Sequence, residues 1–134
     1  MFEQDYIMRL IHQIVMFVIN LLFRRKEEEE AQYQDGQEHL LLTGEQAGEY
    51  EHLMELVHHG QVNEAENRLY DILDTGNMED LKLALLFYDG INGLSPEELE
   101  QAGYTRQEIR DGISQVLGRY GYDGLAEAFE GNES

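Results

Sequence analysis

The sequence predicts an all-α fold in which a long apolar helix precedes an array of antiparallel helical hairpins. Two observations carry that expectation. Proline occurs once and tryptophan not at all, while Leu, Glu, Ala, Gln and Met are plentiful, a composition that favours helices over strands. Large apolar side chains also recur three and four residues apart, and glycine, at 13 residues, is frequent enough to supply the turns and C-caps between such runs. At 134 residues the chain is one domain, able to bury a single core without covalent staples.

The densest apolar run is Asp5 to Lys26, DYIMRLIHQIVMFVINLLFRRK. Wound at about 100° per residue, it gathers Tyr6, Leu10, Ile14, Phe17, Val18, Leu21 and six further apolar residues on an arc roughly 220° wide, about twice what one layer of neighbours covers. Cover on two or more sides is therefore expected. Asp5 is the expected N-cap, and Glu27 to Glu30 continue the helix to about Gln34 as a solvated extension, three and four residues from Arg24, Arg25 and Lys26. Residues 1–34 thus form one long helix. Residues 35–43 read as a linker that turns at Asp35-Gly36 and docks on the core through Leu40-Leu41-Leu42.

Residues 44–130 read as the helical-hairpin domain. Thr43-Gly-Glu-Gln46 has capping-box spacing and opens a helix over about 44–58, with Tyr50, Leu53, Met54, Leu56 and Val57 inward. Gly60 separates it from a helix over about 63–74 that turns Ala65, Leu69, Ile72 and Leu73 inward, and the two form an antiparallel hairpin. Thr75-Gly76-Asn77 ends that helix and caps the next, about 78–91, which is apolar nearly all round and is expected at the centre. Leu94-Ser95-Pro96-Glu97-Glu98-Leu99 combines N-cap serine, N1 proline, N3 glutamate and a Leu94–Leu99 staple, and its short helix stops at Ala102-Gly103. Tyr104-Thr105 to Glu108-Ile109 repeats the device and opens a helix to about Tyr120. A short helix over about 124–129 docks by Leu125 and Phe129, and 131–134 form a loose tail.

Charge narrows the classes of partner. With 28 acidic against 9 basic residues the formal charge is −19, a field that repels phosphate backbones and anionic lipids, so nucleic acid is not an expected partner. The absence of cysteine removes disulfides and thiolate chemistry and fits a reducing, cytoplasmic setting. The first helix does not read as a secretory leader, because Glu3 and Asp5 come first and the basic residues last. Nor does it read as a spanning helix: the unbroken apolar run Ile14 to Ile19 is short and Arg9 lies just before it.

Gly60-Gln-Val62-Asn-Glu64-Ala65, with Leu53 and Leu56 before it and Leu69 and Ile72 after it, resembles the inter-helix turn and second helix of a tetratricopeptide repeat. The small residue there implies close packing of the two helices. The likeness covers about residues 45–75, with no second copy, so no ligand groove follows from it. The whole chain resembles an uncharacterised bacterial family, a domain of unknown function found mainly in Firmicutes. The residues that carry this likeness are Gln4-Asp5-Tyr6-Ile7-Met8-Arg9, Leu21-Leu22-Phe23, Asn63-Glu64-Ala65-Glu66 and Leu94-Ser95 to Leu99. That resemblance implies a small cytoplasmic all-helical protein with no assigned activity.

No residue pattern specifies a reaction or a cofactor. Glu49-x-x-His52 and Glu55-x-x-His58 have the spacing of di-iron bundles, but such a site needs inward glutamates from two more helices. They read as polar surface, His58 and His59 complementing a helix C-terminus. Asp71, Asp74, Asp80 and Asp89 fall on no shared face, the glycines form no phosphate cradle, and the tyrosines read as packing. His12 and Arg9 lie on the polar strip of the first helix, facing water or fixing the register of a helix pair. The function expected is non-enzymatic: an interaction or scaffold protein that self-associates, as a dimer, through Tyr6, Leu10, Ile14, Phe17, Val18 and Leu21. The alternatives are a peripheral membrane protein inserting that arc into lipid, and a small metalloenzyme using Glu49, His52, Glu55 and His58.

Overall fold

Apolar side chains on every side force a helix to the middle of a domain, and in the computed structural model that helix is Met78–Asn92. The structure describes residues 2–23 and 41–128, with side chains from residue 5 onward. The described residues are all-helical: α1 (Phe2–Leu22), α2 (Gly44–His58), α3 (Val62–Ile72), α4 (Met78–Asn92), α5 (Pro96–Ala102), α6 (Arg106–Arg119) and a last turn, α7, at 125–128. Helix α4 buries every residue from Asp80 to Tyr88 and contacts α1, α2 and α6. Helix α3 pairs with α2, and α6 also touches α1.

Local signals set most of the boundaries. Asn77 accepts the Glu79 amide at 2.9 Å to cap α4. Ser95 with Glu98, and Thr105 with Glu108, form complete capping boxes on α5 and α6. Gly103, at φ 69°, takes the left-handed conformation that closes α5. Leu94 and Leu99 are both buried, as a staple requires.

Four expectations change. Helix α1 begins at Phe2, so Asp5 lies within its first turns and is not the N-cap. Thr43 has N-cap backbone geometry but makes no side-chain cap bond, and Gln46 donates instead to the Asp80 carboxylate at 3.0 Å. A long-range carboxylate has taken the side chain that the box needed. Helix α3 spans Val62–Ile72, one residue earlier at its start and two at its end than expected. At α7 the buried residue is Ala126, with Leu125 half-buried. Phe129, the tail, the predicted extension of the first helix to Gln34, and the linker as far as Leu40 lie outside the described residues. Leu41 and Leu42 are buried in the core.

Buried polar groups stitch distant segments together. Asn92 donates to the Met8 carbonyl at 2.8 Å, while Arg106 donates to Asn92 Oδ1 and to the carbonyls of Asn92 and Leu94 at 2.8–3.2 Å. Helix α1 is thereby tied to the α4–α5 turn. His12 Nδ1 lies 2.8 Å from Asp89 Oδ2, so this histidine fixes the register of α1 on α4. Lys82, nearly inaccessible, reaches the Leu41 carbonyl and Glu79 and sits 4.9 Å from the centre of the Phe23 ring.

Candidate interaction surface

The wide apolar arc of α1 is divided in two by the helices that pack on it. Ile11, Ile14, Val15, Val18 and Ile19 are buried, with Ile7 and Leu22 at the margins of the same face. At about 100° per residue that face spans roughly 140°, centred on Val18 and Ile11. Beside it lies a flank about 60° wide, holding Tyr6, Leu10, Phe17 and Leu21. Tyr6 is 59% exposed and Leu21 46%. Leu10 and Phe17 are half-buried against the core.

The six residues expected to form one association surface therefore separate. Ile14, 2% exposed, and Val18, fully buried, are core and unavailable to a partner. The reason is rotational: they lie on the side of α1 that packs against α4 and α6, while Tyr6, Leu10, Phe17 and Leu21 are turned about 20–120° around the helix from them, past the edge of that contact. Gln13, Asn20 and Arg9 are exposed and border that flank on its wet side.

The other constellations hold the fold rather than open to a ligand. Glu49 is turned to Arg68, with oxygens 3.1 and 3.2 Å from the guanidinium Nη2, while His52, Glu55 and His58 are exposed. Among the described residues no group of three or more His, Cys, Asp or Glu is placed to hold a metal. Asp74 and Asp80, expected apart, meet: Asp80 accepts the Asp74 amide at 3.1 Å as well as Gln46. They line a cleft of about 250 Å³ with Glu45 and Glu49, a wall whose Asp80 carboxylate is already engaged by protein donors.

Glu66 organises a tyrosine cluster that composition does not reveal. It accepts hydrogen bonds from the hydroxyls of Tyr88 and Tyr104, and the Tyr70 hydroxyl lies 3.3 Å from that of Tyr88. Burial first, and the bond to Glu66 next, push the Tyr88 hydroxyl well above its ordinary value. Burial and the nearby Glu66 charge raise Tyr104 as well. At the α3–α4 turn Tyr120 donates to the carbonyls of Asp74 and Asn77, and burial with the Asp80 and Asp74 charges pushes it to about 12. Burial lowers Arg106, and the charge of Asp5 works against that shift. The one sequence clue to these polar groups was their place inside apolar runs: Asp80 and Lys82 flank Leu81 in the most buried helix.

A family model described as a family of unknown function, DUF6483, matches residues 1–121. No curated protein matches, and no solved structure does.

Proposed function

The chain belongs to the DUF6483 family of unknown function, and we propose that it acts without catalysis, as an interaction or scaffold protein that self-associates through the outward flank of α1. The observation that carries this reading is the exposure of Tyr6 and Leu21 on a helix whose adjoining face is core. Large apolar side chains aligned on one solvent-facing stripe are the usual mark of a partner site. The polar side chains within the fold support the non-enzymatic part, because half-buried Glu66 and buried Asp80, Asn92 and Arg106 are each spent on joining one element to another. The tetratricopeptide likeness of α2 and α3 and the cytoplasmic bacterial setting implied by the family likeness agree with such a role.

Light scattering on the full chain at tens of micromolar tests the reading. The expected mass is that of a dimer, falling to a monomer in Leu21→Glu with the helical signal unchanged. A monomeric wild-type chain would end it.

A second reading places the same flank in a lipid interface. It draws support from Asp5–Leu22, an 18-residue stretch long and apolar enough to cross a membrane by length and composition. Insertion of the flank alone leaves Ile11, Ile14 and Val18 in the core, as an interfacial helix requires. Flotation with neutral and anionic vesicles separates the two: binding to neutral vesicles favours lipid, and binding to neither removes it.

A further inference from the structure

Polar side chains of α4 meet α1 at three points: Asn92 at the Met8 carbonyl, Asp89 at His12 and Lys82 at the Phe23 ring. The contacts run in opposite order along the two helices, so α1 is held antiparallel to α4 at both ends and in the middle. The middle contact differs from the others in kind, because histidine is the side chain whose ordinary charge change falls between pH 5 and 8. His12 Nδ1 stands 2.8 Å from Asp89 Oδ2, with the imidazole side chain 33% exposed and the carboxylate 14%. Water therefore reaches the ring, while the bond itself is only partly screened. A neutral imidazole donates one hydrogen bond to the carboxylate, and an imidazolium adds the attraction of opposite charges to that bond.

We infer that His12 and Asp89 form a proton-operated latch, in which uptake of a proton by His12 tightens α1 on α4 and its release loosens the middle of that helix. The latch stands whether or not the outward flank of α1 takes a partner. Charged and titratable neighbours come from each element packed nearby. On α1 itself Arg9 stands three residues before His12, on the exposed strip. From α2, Tyr50 reaches the turn of α4 beside Asp89, its hydroxyl 3.4 Å from where a Cβ on Gly90 would lie. Helix α6 presents Arg110 and Asp111 beside Ile14, about 160° around α1 from His12, and Arg106 beside Asn92. Lys82 is at the Phe23 end of α4. His12 also has a contact beyond Asp89, so the test must isolate the share that belongs to this carboxylate.

Two variants of the full chain do so. Asp89→Asn keeps an acceptor at the ring and removes its charge, leaving the other contact of His12 in place, and His12→Gln takes up no proton near neutrality. Amide hydrogen exchange is read at about pH 5.5 and about pH 8, either side of the ordinary histidine range, and corrected for the intrinsic effect of pH on exchange. Acidification also lowers the net negative charge of the whole chain, so the α2–α3 hairpin serves as the reference. The expected result in wild type is several-fold greater protection of the α1 amides around His12 at the lower pH, beyond any change in the hairpin, and loss of that excess in both variants. In parallel, the His12 ring signal is followed by NMR, and the wild-type ring should bind its proton several-fold more tightly than the ring in Asp89→Asn. An excess that survives in Asp89→Asn, a ring titration which that substitution leaves unmoved, or an equal gain of protection in the hairpin would each overturn the latch.

Discussion

At Gly112 an added Cβ would lie 2.4 Å from Tyr88 Cζ, and because Tyr88 is fully buried its ring has nowhere to swing. Overpacking of this kind is expected to cost Gly112→Ala ~1–3 kcal/mol, seen as a lower urea midpoint with unchanged slope. Tyr88→Phe keeps the ring and loses the bond to Glu66, an expected cost of ~1–2 kcal/mol at neutral pH. The tyrosines also set an alkaline limit. Their folded values lie above the ordinary 10.0, so the unfolded chain releases these protons first. Their stabilising contribution is complete below about pH 10 and is lost as pH rises through the folded values, Tyr120 covering the interval from 10.0 to about 12. Stability should fall with pH above 10, and the fall should be shallower in a Tyr88→Phe, Tyr104→Phe double variant. Urea titrations at stepped alkaline pH check this, and identical slopes in the two proteins would refute the assignment.

The elements differ in how firmly their ends are held. Ser95 accepts the Glu98 amide at 3.1 Å, and Glu98 reciprocates at the Ser95 amide, whereas Thr43 caps α2 without a side-chain bond. Ser95→Ala should therefore cost ~1 kcal/mol and Thr43→Ala distinctly less, although sequence spacing makes them look alike. Thermal melts compare them, and equal losses would mean the α2 box forms in solution. Asn92 joins α1 to α6, bonding the Met8 carbonyl and Arg106 together. Asn92→Ala leaves a buried guanidinium short of a partner, an expected loss of ~2–4 kcal/mol, with faster amide hydrogen exchange in the first half of α1. Helix spans were legible because caps and apolar periodicity are local: Asn77, Ser95 and Thr105 announce their helices within four residues. The clamps were not, because Asn92 and Met8, or Gln46 and Asp80, are far apart in sequence. The candidate surface was half legible for a related reason. Periodicity shows that Ile14 and Leu21 share an arc, but only the positions of α4 and α6 decide that one is covered and the other is not.

Charge acts on the molecule as a whole, and it opposes the association proposed for α1. Each copy carries a formal −19, so two copies approach against a mutual repulsion that no local contact on α1 removes. Repulsion summed over the whole charge therefore sets the salt response. Its range shrinks from ~30 Å at 0.01 M to ~8 Å at 0.15 M, while apolar contacts between Tyr6, Leu10, Phe17 and Leu21 are insensitive to salt over that interval. Dimerisation should strengthen several-fold between those two conditions and change little beyond, as sedimentation equilibrium across a salt series would measure. Weakening with added salt would mean that ion pairs, not the apolar flank, hold the copies together, and the stripe on α1 would lose its claim to be the seam.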